Sequence, residues 1–326
     1  MKIGLVIGKF LPYHLGHHNL IQFASGQCDQ LHVLIGDSKR FPINASLREM
    51  WIREDFPDVI THIIPEDPVS TDNAVWAWRT EFALGFRPDV VFSSESYGDE
   101  YAALMGAKHI MYDQQRIGNP AQGHLILEDM WSNFKYLSAP AKAHFAKRVV
   151  VCGAESTGKT TLTRELAKVY NTVWTPEYGR MYADGKIPSL DFTDKREWVT
   201  SEFIHIAQMQ RLMENQLAHD ANRVIFSDTD NFCTELWHER YVGWDNTDVL
   251  YANSGSFSVP DLYVLCGLDV PFEQDGTRPE ELQEREYMQL RFHKMLNDRR
   301  YLYTIVTGSV EDRINQVMRI VDKMFV

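Results

Sequence analysis

Short apolar runs alternate with stretches whose apolar positions recur at three- and four-residue spacing. The runs at residues 2–7, 31–35, 59–64, 90–92 and 109–112 predict strands, and 19–24, 47–54 and 74–84 between them predict helices. A second series begins at 148–152. It continues with a helix over 160–170, a strand at 172–175, a long helix over 195–220 and strands at 224–226 and 262–265. A charged helix over 278–297, a strand at 303–306 and an amphipathic helix from Val310 complete it. Such alternation predicts βαβ units, so both halves are expected to be α/β with a mainly parallel sheet. The tract 135–148, with Ser138-Ala139-Pro140 as a break, is read as the junction, giving domains 1–145 and 146–326.

Composition leaves this picture in place. The chain has 326 residues, 44% hydrophobic and 24% charged, which suits globular domains rather than disorder. No apolar stretch approaches the roughly 18 residues of a membrane span, and Met1–Gly8 reads as a strand rather than a leader. Cys28, Cys152, Cys233 and Cys266 show no C-x-x-C spacing, so a reducing cytoplasm is expected. The net charge of −12, with no basic arm or stripe, argues against nucleic acid as a partner.

Chemistry enters at Gly153-Ala154-Glu155-Ser156-Thr157-Gly158-Lys159-Thr160, which completes the phosphate-loop pattern between a strand and a helix start that continues with Thr161. Backbone amides and a helix N-terminus there would cradle the phosphates of ATP. Lys159 would reach the β- and γ-phosphates, and Thr160 would take a Mg²⁺ position. The strand at 224–226 runs into Asp228 and Asp230. Asp228 is placed to hold Mg²⁺ or accept a hydroxyl proton; Asp230 is either a substrate ligand or a cap of the next helix. Glu177, Tyr178 and Arg180, beside Trp174, suit a nucleoside, with ribose hydroxyls on Glu177 and a flat base on an aromatic ring, although a surface ion pair reads equally simply. Arg278, in Asp275-Gly276-Thr277-Arg278, would close over the phosphates as part of a lid.

In the first half, Gly8, Lys9, Phe10, Pro12, His14, Gly16 and His17 follow the first strand. Three histidines in His14–His18 invite a zinc reading, but no Cys or carboxylate stands at ligand spacing. His14 and His17 at a helix start instead suit the departing pyrophosphate of ATP. His14-Leu15-Gly16-His17 resembles the H-x-G-H nucleotidyltransferase superfamily. With Ser94 and Glu95 in Phe92–Gly98, Asp113–Arg116, the tract from Asn44 through Arg48 to Trp51, and the second half's motifs, the whole chain is similar to NadR-type proteins.

That resemblance implies a Rossmann-like nicotinamide mononucleotide (NMN) adenylyltransferase domain followed by a P-loop nicotinamide riboside kinase domain. The two would convert riboside to NMN and NMN to NAD with ATP and Mg²⁺. Trp78, Ser94, Glu95 and Arg116 are then expected at the mononucleotide, in a homo-oligomer. With the first strand at residue 2, no repressor-type DNA-binding role is expected. One departure stands out: the family's I-S-x-T-x-x-R signature corresponds to Ala121–Leu127, which carries no Ser, Thr or Arg. Two alternatives therefore stay open: a riboside kinase with an inactive, nucleotide-sensing first domain, and a pantetheine-phosphate adenylyltransferase/dephospho-coenzyme A kinase fusion.

Overall fold

A computed structural model describes residues 1–38, 41–65, 72–115, 117–118, 120–186, 198–243, 247–252, 258–271 and 282–326. Arg116 and Arg278 lie outside the described residues. The chain divides into two compact units, Met1–Ala141 and Lys142–Val326.

The first unit runs β1 (Ile3–Gly8), α1 (Leu15–Ser25), β2 (Gln30–Asp37), α2 (Ala45–Asp55), β3 (Ile60–Pro65), α3 (Asn73–Leu84), β4 (Val90–Ser93), α4 (Gly98–Leu104), β5 (Lys108–Met111) and α5 (Gly123–Glu128). A 3₁₀ turn at Phe134–Tyr136 and α6 (Ala139–Phe145) follow. Its sheet is parallel throughout, in the order β3-β2-β1-β4-β5. The strand order reverses direction at β1, so the loops after β1 and β4 open one crevice at the carboxyl edge.

The Ser138-Ala139-Pro140 tract, expected as a break, instead opens α6. Proline is tolerated in a first helical turn, where its missing N–H has no intrahelical partner. Ser138 is buried, and its hydroxyl donates to the Tyr13 carbonyl at 3.1 Å.

The second unit contains β6 (Lys147–Cys152), α7 (Lys159–Val169), β7 (Trp174–Thr175), α8 (Tyr178–Lys186), α9 (Thr200–Ala218), β8 (Val224–Asp228), α10 (Asn231–Val242), α11 (Thr247–Leu250), β9 (Leu262–Cys266), α12 (Leu282–Asp298), β10 (Tyr303–Val306) and α13 (Val310–Val321). Its parallel sheet has the order β10-β9-β6-β8-β7. Strands buried on both faces read as continuous apolar runs, as Val149–Cys152 and Val224–Phe226 do. The strand expected over 172–175 shortens to β7 because Thr172 closes the end of α7: its N–H donates to the Ala167 carbonyl at 2.9 Å, and its hydroxyl donates to Val224 O.

Phe226, fully buried against Tyr170, stands on β8 in register with Val149 of the phosphate loop's strand. Phe226→Ala should cost about 3–5 kcal/mol, read as a lower urea midpoint with an unchanged m-value.

Candidate functional site

The phosphate loop leaves β6 at Gly153. Register pairs Val151 with Asp228, so the loop emerges beside the end of β8. Gly153 (φ 134°) and Gly158 (φ 81°) occupy left-handed backbone that glycine adopts at little cost; Ser156 (φ 51°) does so with a side chain and must be held there.

Two arginines hold it. Arg285 of α12 donates Nε to the Glu155 carbonyl at 3.0 Å. Its Nη2 donates to the carbonyls of Ser156 (3.1 Å) and Val270 (2.8 Å). Arg313 of α13 donates to the Thr157 carbonyl at 2.7 Å and pairs with Asp269 at 2.7 Å. Both are buried. A trans peptide directs its N–H opposite its C=O. Fixing these three carbonyls therefore turns the amides of Ser156, Thr157 and Gly158 the other way, as an anion cradle needs. Gln289, one turn beyond Arg285, accepts the Ala154 N–H at 3.1 Å and donates to the Cys266 carbonyl at 2.8 Å. Lys159 Nζ donates to the Ala154 carbonyl at 2.8 Å.

Asp228 lies at the centre. Its Oδ2 accepts the Thr160 hydroxyl at 2.5 Å, while its buried Oδ1 has no hydrogen-bond partner. Burial pushes its carboxyl up to about 6, with Glu177 adding to the rise and Lys159, Thr160 and Arg180 opposing it. Lys159, Thr160, Glu177, Arg180 and Asp228 are thus brought together. Thr161 is exposed on the next position of α7. Gln210 of α9 ties the start of α8 to this strand end. Its Oε1 accepts the Tyr178 N–H at 2.7 Å, and its amide faces the Asp228 and Thr229 carbonyls at 3.4 Å. Tyr178 packs edge-on to His205.

Asp230 takes the capping role rather than a substrate-facing one. One oxygen accepts the Cys233 N–H at 3.0 Å to start α10, and the other accepts the Tyr263 hydroxyl at 2.7 Å; the side chain is buried. With both oxygens committed to the fold, its assignment as a substrate ligand is corrected.

In the first unit the crevice is a cavity of about 740 Å³ lined by Gly8, Lys9, Phe10, His14, Gly16, His17, Ser94 and Glu95, and also by Phe41, Asn73, Trp76, Tyr97, Tyr112 and Asp113. His14 caps α1, its Nδ1 accepting the Gly16 N–H at 3.0 Å. That leaves the neutral ring's proton on Nε2. A Cβ on Gly16 would lie 2.9 Å from the His14 ring, which is why glycine stands there. The His14 and His17 rings stack at 3.8 Å. Buried Arg48 fixes the loop, donating to the carbonyls of Lys9, Gly36 (2.9 Å) and Ile43 (3.2 Å) and pairing with Asp37. Among the described residues no group of three or more His, Cys, Asp or Glu could hold a metal ion.

Trp78 is a correction: it is 66% exposed and stacks on Phe82 outside the cavity, whose wall takes Trp76. Residues two apart on a helix face different sides. Ala121, Gly123, His124 and Leu127 also line the cavity. Gly123 packs so closely that a Cβ would sit 2.5 Å from the Leu11 carbonyl. The supports Gln210, Arg285, Gln289 and Arg313 escaped the sequence reading, and Arg48 entered it only as part of the Asn44–Trp51 tract, with no role assigned. Each lies far in sequence from the loop it holds, and α12 reads as a solvated charged helix.

The Asp228 carboxyl, raised in the fold, binds its proton more tightly folded than unfolded. Its contribution to stability is present below the unfolded value and lost as pH rises through about 6. Asp228→Asn should therefore stabilise the metal-free protein by about 2–3 kcal/mol above neutral pH, and by little near pH ~4, read as thermal midpoints at the two pH values.

Comparison with known proteins bears on both units. A family model described as "AAA domain" matches residues 148–313. The trifunctional NAD biosynthesis/regulator protein NadR of Escherichia coli is 28% identical over 298 residues, 85% of this chain and 71% of that protein. A nicotinamide-nucleotide adenylyltransferase of Haloarcula marismortui is 29% identical over 143 residues, 39% of this chain and 73% of that protein. The crystal structure of a NadR protein in complex with NR superposes with a TM-score of 0.71 at 20% identity, covering 98% of this chain and 96% of that one. At that identity the likeness establishes a shared fold. Through residues 148–313, just over half of its length, the chain belongs to the AAA domain family.

Proposed function

We propose that this chain makes NAD in two ATP-dependent steps: phosphorylation of nicotinamide riboside in the second unit and adenylylation of the resulting NMN in the first. The observation that carries the first step is the meeting of Thr160 and Asp228 at the mouth of a clamped phosphate loop, with Glu177 and Arg180 beside them.

For the kinase step, the loop amides and the α7 N-terminus bind the ATP phosphates. Lys159 exchanges its Ala154 carbonyl for the β- and γ-phosphates. Glu177 holds the ribose hydroxyls and Tyr178 flanks the base. The riboside 5′-oxygen forms a bond to the γ-phosphorus as the bond to the ADP oxygen breaks, and the hydroxyl proton passes to a carboxylate, Asp228 or Glu177. The unpartnered Oδ1 of Asp228 and the adjoining Thr160 hydroxyl fit Mg²⁺, a hard cation that takes oxygen ligands and completes its shell with phosphate and water. When bound, the ion neutralises charge across the β- and γ-phosphates.

For the second step, an NMN phosphate oxygen attacks the α-phosphorus of ATP and pyrophosphate leaves. His14 and His17 stabilise the charge on the leaving group, while Ser94 and Glu95 face the mononucleotide. No covalent intermediate is required, since positioning supplies most of the acceleration. The same reading carries a homo-oligomeric assembly and a cytoplasmic location. Among the described residues no helix is long and apolar enough to cross a membrane.

Similarity to nicotinamide-nucleotide adenylyltransferases disfavours the coenzyme A fusion, and similarity to a NadR protein over 85% of the chain disfavours a merely sensing first unit. Two assays test the reading: NMN from riboside plus MgATP, and NAD plus pyrophosphate from NMN plus MgATP. Both products are expected. Lys159→Met should lower the first rate about a hundredfold or more and leave the second within about twofold. A first assay without product, or equal phosphate transfer to other nucleosides, would overturn the kinase assignment.

Leu127, at the position of the Arg in the I-S-x-T-x-x-R signature, lines the cavity wall. Leu127→Arg is expected to raise kcat/KM for ATP in the second assay by about tenfold, in line with a hydrogen bond to a charged group. A decrease would show that the triphosphate does not reach that wall.

A further inference from the structure

The turn after β4 presents Ser94 and Glu95 to the cavity, and a chain of polar contacts behind it reaches His109 on β5. Ser93 is buried at the end of β4. Its hydroxyl lies 3.1 Å from the Glu95 carbonyl and 2.9 Å from His109 Nε2. The other ring nitrogen, Nδ1, lies 2.6 Å from Asp99 Oδ1 at the start of α4. The His109 side chain is 7% exposed and Asp99 80%. Gly98 makes room for the chain, because a Cβ there would lie 2.2 Å from Ser93 Oγ and 2.3 Å from His109 Nε2. Ser93, Glu95 and Gly98, three positions of the Phe92–Gly98 tract, are thus accounted for by one set of contacts.

Proton counting fixes the direction of each bond. The Asp99 carboxylate only accepts, so His109 Nδ1 carries a proton. A serine hydroxyl has a single proton to give. If the ring is neutral, Nε2 is an acceptor and competes with the Glu95 carbonyl for that proton. If the ring is an imidazolium, Nε2–H donates to Ser93, and the Ser93 proton goes to Glu95. All three bonds form together in the imidazolium alone.

We propose that His109 is a positioning residue of the adenylyltransferase site, holding the Ser94–Glu95 turn in its mononucleotide-binding form through Ser93. This rests on the adenylyltransferase reading of the first unit. Around the ring, α4 presents Asp99, β4 presents the Ser93 hydroxyl, the turn presents Glu95, and β5 itself carries Lys108 next in sequence. Without the ring, Ser93 loses its anchor on β5 and no longer fixes the Glu95 carbonyl, and affinity for the mononucleotide falls.

The test measures NMN adenylylation by the full chain in the parent, His109→Phe and Asp99→Asn proteins. In His109→Phe the KM for NMN should be about tenfold higher than in the parent, with kcat within about twofold. Asp99→Asn, at an exposed position, should move in the same direction by less. Thermal unfolding of each protein reports that the first unit is folded. An unchanged KM in His109→Phe, or a fall in kcat at unchanged KM, overturns the proposal. If His109→Phe does not fold, Asp99→Asn decides alone: a raised KM supports it, and an unchanged one overturns it. Should the parent form no NAD, the adenylyltransferase reading fails. Calorimetric NMN binding then judges the positioning role: weaker binding in the variant than in the parent sustains it, and identical or undetectable binding in both overturns it.

Discussion

Everything the second unit does depends on which way four peptide groups point. The carbonyls of Glu155, Ser156 and Thr157 are held by Arg285 and Arg313, and the Ala154 amide is held by Gln289. A loop of this length has many backbone conformations, and selecting one costs roughly 1–2 kcal/mol per residue. Charge-assisted hydrogen bonds from buried guanidinium groups offset that cost before ligand arrives. The cradle is therefore preorganised, and an incoming phosphate need not order it. Sequence-distant helices contribute the clamps, so the loop motif is necessary but does not hold its own shape.

The same unit keeps a charge where stability would prefer none. Asp228 sits at the end of a fully buried strand, near Glu177, and its Oδ1 has no partner. Burying a carboxylate without full compensation is expensive. Conflict between local stability and local order is typical of sites whose complement is a ligand. Asp230, two residues on, is the contrast: equally buried, yet both oxygens are bonded within the fold. Two carboxylates in one short tract thus differ in kind: one has both oxygens bonded within the fold, and the other keeps one oxygen open.

The first unit solves a different problem, a nucleotide cavity with few cations. Lys9 and the histidines 14, 17 and 124 line it, and Leu127 occupies the wall near the end of α5. Aromatic and polar groups, among them Trp76, Tyr97 and Tyr112, supply shape and stacking.

What the sequence by itself determined was largely local. Strand and helix periodicity gave both α/β units, because a parallel sheet covered on both faces demands continuous apolar strands. The phosphate loop and the His14–His17 turn were legible because glycine, lysine and histidine at those spacings have few other uses. Asp228 was legible as the end of an apolar strand. Tertiary structure alone decided the rest. Helix phase put Trp76 rather than Trp78 in the cavity. Hydrogen-bond satisfaction sent Asp230 to a helix cap. Packing brought Arg48, Gln210, Arg285, Gln289 and Arg313 onto loops up to 156 positions away in sequence. A guanidinium meant for a carbonyl and one meant for solvent look alike in a sequence, because the difference lies in what the fold carries to them.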